Sequence, residues 1–291
     1  MRGSTTLDEG GATANAWYET DDRDPSLTAR PSGGRTIHVA SFNIQTGIST
    51  SSYRDYITGS WRHIWPSTKR LPNLNRIAHL LRPFDLVGLQ EVDGGGARSG
   101  NIVQTQYLAE HAGFAYWHNQ INRRIGTIAL HSNGLLSRLR PDHIHDYKLP
   151  GLPGRGAMLV CFGREPESAL YLCVLHLALG QRARMKQIEF VADLVGKLPN
   201  LILMGDLNCE PNSPELRLLT AKTQLADPML ELKTFPSWRP QKMLDHILVT
   251  GNLGVTSVRV LNFPCSDHLP IAMEIALPQS VTAADALSQS A

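Results

Sequence analysis

Apolar residues recur along the chain in short runs, at residues 37–42, 86–90, 127–130, 157–162, 170–177, 201–204, 244–250, 255–261 and 271–276. Runs of this length, rich in Val, Ile and Leu and bounded by Gly, Pro, Asn and Asp, predict β-strands. A helical period appears between some of them. Leu74, Ile77, Ala78 and Leu81 repeat at i, i+3, i+4, i+7, and Pro83 ends that segment. A second helix is predicted over residues 102–112, closed by Gly113. A third follows from Met185, Ile188, Val191, Leu194, Val195 and Leu198, and a fourth opens at Ser213-Pro214-Glu215, with Ser as N-cap and Pro in the first turn. Many strands and few helices predict a layered α/β protein with sheet packed on sheet. Residues 1–34 are polar and aperiodic and read as a disordered or loosely ordered arm; 35–278 read as one domain, and 279–291 as a flexible tail.

Composition narrows this picture only a little. At 291 residues and 42% hydrophobic content, the chain suits an ordinary globular domain. A net charge of +2 neither marks nor excludes a nucleic-acid binder. Clusters such as Arg123-Arg124 and Arg182-Ala-Arg184-Met-Lys186 read as solvated faces. Cys161, Cys173, Cys209 and Cys265 form no CxxC pair and no disulfide framework. The first residues lack the apolar core of a secretion signal, and no apolar stretch has the length to span a bilayer. The expected location is the cytoplasm, compatible with peripheral contact with a membrane, and no obligate protein partner is evident.

Polar groups at the ends of the apolar runs change the picture more. The run at 201–204 leads straight into Gly205, Asp206 and Asn208, residues two apart that point the same way on an extended chain. The run at 86–90 ends in Glu91 and Asp93. His176 closes another, Asn43 ends the first, and Asp245 is embedded in a strand, where a charge is costly unless paired. Asp267 and His268 are adjacent in a loop and can act as one acid–base unit, the carboxylate fixing the imidazole. Each signal alone also suits a turn or a solvated strand end. Together they supply carboxylates, amides and imidazoles, the set that phosphoryl transfer requires: carboxylates for a hard metal, amide donors for phosphate oxygens, His for proton transfer.

In order, the motifs FNI, LQEVD, SNGLLSR, LHL, GDLN, LDHILV and SDHLP resemble those of the endonuclease/exonuclease/phosphatase superfamily, over residues 36–276. The resemblance implies a four-layered, DNase I-like α/β sandwich, two mainly antiparallel sheets flanked by helices, with the active site at one edge. It implies that Glu91, Asn43 and Asp267 belong to a Mg²⁺ or Mn²⁺ site. It implies that His268 is the general base, with Asp267 its acidic partner and Asp245 pairing with a catalytic imidazole. Asp206 would orient the nucleophile or touch the metal, while Asn208, His176 and Asn43 contact the phosphate. A His at position 176 is similar to DNase I, sphingomyelinases, inositol phosphatases and deadenylases, whereas the exonuclease III-like branch usually has Tyr. The wording around LHL and LDHILV is similar to small bacterial members. Residues 45–70 are longer and more aromatic than that pattern, with Tyr53, Tyr56, Trp61, His63 and Trp65. They read as a packed surface loop, with base stacking or membrane contact as the alternative. The resulting expectation is a metal-dependent phosphoesterase of nuclease type. A phospholipid or sphingolipid diester, a small phosphorylated metabolite, and a catalytically dead binding module of the same fold stand as alternatives.

Overall fold

The computed structural model describes residues 13–14, 18–19, 36–47, 70–151, 154–228 and 232–281. The aromatic stretch of residues 48–69, the C-terminal tail and most of the N-terminal arm lie outside these. The first strands are β1 (Thr13–Ala14), β2 (Tyr18–Glu19), β3 (Thr36–Asn43), β4 (Leu86–Asp93), β5 (Tyr116–Ile125), β6 (Ala129–Ser137) and β7 (His143–Lys148). They are followed by β8 (Gly156–Phe162), β9 (Leu170–His176), β10 (Leu201–Asp206), β11 (Leu225–Ala226), β12 (Asp245–Thr250), β13 (Gly254–Val260) and β14 (Ile271–Ala276). The helices are α1 (Arg70–Leu81), α2 (Gln104–Ala112), α3 (Gln181–Val195) and α4 (Pro214–Lys222).

The strands form two seven-stranded sheets, ordered β13-β14-β3-β4-β6-β5-β2 and β1-β7-β8-β9-β10-β12-β11. Only β3/β4 and β9/β10 are parallel; the other neighbours are antiparallel. Val39, Leu86 and Leu135 of one sheet meet Met158, Leu172, Val174, Ile202 and Met204 of the other in a core between the sheets. The alternate residues point outward under helices. Val87 and Leu89 pack with Leu74, Ile77 and Leu81 of α1 and Leu108 of α2; Cys173, Leu175 and Leu203 pack with Ile188 and Val191 of α3 and Leu216 of α4. Helix, sheet, sheet and helix make four layers. Central strands covered on both faces read as unbroken apolar runs, which is why they were legible in the sequence. At Gly88 the sheets approach so closely that a Cβ would lie 2.8 Å from Sδ of Met204.

One predicted strand needs correction, and two strands were not predicted. The strand expected at 127–130 is β6, displaced to Ala129–Ser137. Strands β5 and β7 have no counterpart among the predicted runs. Their sequences, YWHNQINRRI and HIHDYK, alternate polar residues into buried positions such as His118 and Gln120. Those groups satisfy themselves across the sheets: Gln120 Nε2 donates to Ala157 O at 2.9 Å, and Asn133 Nδ2 donates to Gly156 O at 3.1 Å.

The topology sets one functional consequence. The C-terminal ends of β3, β4, β9 and β10 and the N-terminal ends of β12 and β14 gather at one edge of the sandwich. Asp206 is registered against His176 on one side and Asp245 on the other. None of the helices among the described residues is long and apolar enough to cross a membrane.

Candidate active site

Asn43, Glu91, His176, Asn208, Asp245, Asp267 and His268 converge at this edge with Asp206 at the centre, whereas Asp93 is taken up by Arg98, Ser99 and the Gly95 and Gly96 amides. Asn43 Nδ2 donates to Asp206 Oδ2 at 3.1 Å, linking the two sheets. His176 Nε2 lies 3.4 Å and His268 Nε2 3.8 Å from the same oxygen. The other carboxylate oxygen, Oδ1, accepts from the Asn208 backbone N–H at 3.0 Å, while Asn208 Nδ2 donates to Leu177 O at 3.0 Å. Two backbone features aim these groups. Gly205 has φ +150°, and a Cβ there would sit 1.9 Å from Leu175 O, so only glycine allows β10 to run so close to β9. Asn208 has φ +52°, a left-handed conformation that Asn tolerates better than most residues.

Glu91 is aimed by a bulge. Between Leu89 and Val92 the pairing of β4 with β6 slips by one residue, and Glu91 takes φ +56°. Its carboxyl is half-buried and sits near Asn43 and Asp267. Burial first, then repulsion from Asp267, push it above the ordinary carboxylate value, against the opposing pull of His268, Arg155 and Asn43.

One expected pairing is corrected. His268 Nδ1 is held at 2.8 Å by Asp245, across 23 residues of sequence, and not by its neighbour Asp267. Adjacent residues in the loop point apart; Asp267 accepts from Ser266 Oγ at 3.1 Å and faces Glu91. Thr234, which the sequence reading passed over, donates its hydroxyl to the same Asp245 oxygen at 2.6 Å. It also ties down the loop, since Leu269 N donates to Thr234 O at 2.9 Å. Phe235 covers the imidazole, with ring centroids 4.9 Å apart. Burial opposes a charge on His268, but Asp245, Asp206 and Asp267 together outweigh it and hold the imidazole well above its ordinary pKa. Asp206 is pushed up to about 7, by burial and by Asp245. His176 goes the other way, well below its ordinary value, through burial and the nearby charges of Arg155 and His268. Arg155 was also passed over. Its only sequence signal is a lone Arg between glycines ahead of β8.

The donor set suits a hard divalent cation. Asp206, Asp245 and His268 offer ligand atoms within 4.8 Å of one another. Asp245 Oδ2 and His268 Nδ1 are spent on their mutual hydrogen bond, so the free capacity is on Asp206, His268 Nε2 and Asp245 Oδ1. Asp245 Oδ1 is buried with no hydrogen-bond partner, a costly state that nearby positive charge would relieve. Glu91 and Asp267, two carboxylates whose charges oppose each other, with the Asn43 amide beside them, make a second oxygen-rich group.

A four-layered sandwich with this edge defines a class: hydrolases of phosphate esters with the DNase I-like fold. The chain belongs to the Endonuclease/Exonuclease/phosphatase family, whose model matches residues 40–268, and members of that family act on phosphate esters. The fold is similar to an endonuclease/exonuclease/phosphatase from Beutenbergia cavernae DSM 12333, at 20% identity and a TM-score of 0.64, covering 84% of this chain and 72% of that one. It is similar to mannosyl-6-phosphatase Bt3783 of Bacteroides thetaiotaomicron VPI-5482 (18% identity, TM-score 0.60, 82% and 99% covered). It is also similar to the human Nocturnin catalytic domain with bound sulfate (18% identity, TM-score 0.58, 84% and 94% covered). No curated protein matches the sequence.

Proposed function

We propose that the protein is a divalent-metal-dependent phosphodiesterase that hydrolyses its substrate by in-line attack of water, with nuclease-type substrates the favoured group. The observation that carries this reading is the His268 imidazole, held at Nδ1 by Asp245 at 2.8 Å with Nε2 turned toward Asp206 at 3.8 Å. In its neutral form such an imidazole has one fixed tautomer and one free nitrogen, the arrangement a general base needs. His268 Nε2 takes the proton from water, and Asp245 stabilises the imidazolium that forms. The water oxygen then bonds to phosphorus as the bond to the opposite ester oxygen breaks. Asn43 and Asn208 each spend one amide N–H inside the protein, on Asp206 and on Leu177 O, and keep the other for a non-bridging oxygen. His176, held neutral, offers an N–H to the phosphate or the leaving oxygen. Glu91, Asp267, Asn43 and Asp206 are the residues that would hold Mg²⁺ or Mn²⁺, which supplies charge to polarise the phosphate and to counter the field of the carboxylates. Arg123 and Arg155 on the rim, with no carboxylate in ion-pair contact among the described residues, favour a polyanionic chain.

A second reading, a phospholipid diester, has its own observation. Ile121, Ile125 and Ile128 on the β5–β6 hairpin are 43%, 40% and 45% exposed, and Leu179, three residues beyond His176, is 77% exposed. These side chains border the active edge and suit an apolar surface.

The test is a metal-titrated assay on bis-p-nitrophenyl phosphate, followed by a panel of single-stranded DNA, duplex DNA, RNA, sphingomyelin and phosphoinositide. Hydrolysis should appear with Mg²⁺ or Mn²⁺ and vanish in chelator. A folded His268→Ala variant should lose at least about 10²-fold in kcat. Full activity in that variant would overturn the assignment, and turnover of sphingomyelin but not of nucleic acid would favour the lipid reading.

A further inference from the structure

Beside the reaction centre is a cationic cluster that takes no part in the chemical steps above. In the β5–β6 hairpin, Arg123 is the direct cross-strand partner of His131, reached through a one-residue bulge between Ile121 and Arg123. His131 is in turn registered against Asp93, two residues beyond Glu91 on β4. From the opposite sheet, the loop before β8 brings Gly154 against the Arg123 side chain, so closely that a Cβ on Gly154 would lie 3.2 Å from Arg123 Cβ and Cδ. Arg155 follows. Its Nε donates to Leu177 O at 2.9 Å, the carbonyl that also anchors Asn208. One carbonyl thus pins a guanidinium and a phosphate-facing amide side by side, next to His176.

Arg123 is exposed, and Arg155 and His131 are half-buried, so the cluster opens to solvent. None of the three has a carboxylate in ion-pair contact among the described residues. Elsewhere Arg98 pairs with Asp93 and Arg184 with Glu215 at 2.8 Å, while the buried Arg70 is met by the Arg98 carbonyl. The local field is positive. Burial, then Arg98, Arg123 and Arg155, push His131 down to about 4, even with Asp93 pulling the other way. Three cationic or donor groups from both sheets, with no carboxylate in direct contact at the edge of a phosphate site, fit one ligand chemistry.

We infer that Arg123, Arg155 and His131 form a subsite for a second phosphate group of the substrate, adjoining the phosphate that is hydrolysed. The subsite rests on the proposed phosphoesterase reading and adds to it that the preferred substrate carries two phosphates. These are either neighbouring links of an oligonucleotide or two esters on one small metabolite. The Arg123 guanidinium, its stem packed against Gly154, and Nη2 of Arg155, whose Nη1 donates to Gly154 O at 3.3 Å, would donate to its oxygens, and the His131 imidazole would add an N–H.

The kinetic test compares substrates with and without the second phosphate: a dinucleotide against the same dinucleotide bearing a 5′-phosphate, and glucose 1-phosphate against glucose 1,6-bisphosphate. Wild type should prefer the doubly phosphorylated member of at least one pair, and the pair that responds identifies the source. In Arg123→Gln and Arg155→Gln the ratio of kcat/KM between the two members should fall by about tenfold, the loss typical of one charge-assisted hydrogen bond. A ratio near one in wild type, or one untouched by both substitutions, overturns the subsite while leaving the hydrolase intact. Calorimetric titration with pyrophosphate in chelator gives a readout that does not need turnover. Arg123→Gln should bind at least about fivefold more weakly. Equal affinity overturns the subsite; weaker binding without hydrolysis of any ester overturns only the reaction.

Discussion

Single residues at the active edge carry opposing electrostatic demands, and the histidines show it most clearly. His131 is held near 4 in the folded protein against an ordinary value of 6.5. Between those limits the unfolded chain binds a proton that the folded protein refuses, so this residue's contribution to stability is full above 6.5 and is lost as pH falls toward 4. Thermal unfolding from pH 7 down to pH 4.5 should therefore show a shallower decline in His131→Gln than in wild type. Parallel curves would contradict it. At Asp245 the expected effect is kinetic. Asp245→Asn keeps the shape but removes the charge that holds the His268 proton, and kcat should drop by about 10²-fold or more with KM little changed. A stopped assay at saturating substrate, with circular dichroism to confirm the fold, checks it. The residues themselves were legible because apolar runs ending in acid, amide or imidazole stand out. Their partners were legible only in part: Asp245 was expected to pair with an imidazole, and does, but His268 looked paired with its neighbour Asp267, and the loop turns it to Asp245 instead.

Elements differ in how much of their chemistry is local. Helix α4 is local. Ser213 Oγ accepts from Leu216 N at 3.3 Å and Pro214 occupies the first turn, both readable from three letters. Ser213→Ala should lower stability by about 1 kcal/mol in denaturant titrations, with activity largely kept. Strand β5 is the opposite case. Its inward Gln120 and Asn122 face the backbone around Gly156, where a Cβ would come within 2.1 Å of Asn122 Oδ1. A strand whose buried face is polar has no apolar alternation to find, so its pairing with β6 was invisible in the sequence. The pair Arg123-Arg124, which reads as a solvated face, stands in the same hairpin; only the neighbouring sheet gives Arg123 a setting.

At the scale of the molecule, the proposed oxygen donors for a cation come from both sheets, Asn43 and Glu91 from one and Asp206 from the other. Binding should therefore tie the sheets together and stabilise the whole domain. With metal at about a hundred times its dissociation constant the gain is about 2.7 kcal/mol. Mg²⁺ or Mn²⁺ should raise the unfolding temperature over the chelated protein, and Glu91→Gln should lose most of that increment. An identical shift in the variant would remove Glu91 from the metal site. By itself the sequence determined the layered class, the central strands and the polar residues that gather at one edge, because burial on both faces and polar strand ends are written in adjacent residues. Tertiary structure decided which carboxylate holds His268, where Thr234 and Arg155 act, and how two sheets close around Asp206. Those depend on contacts between residues far apart in the chain, which hydrophobic periodicity does not encode.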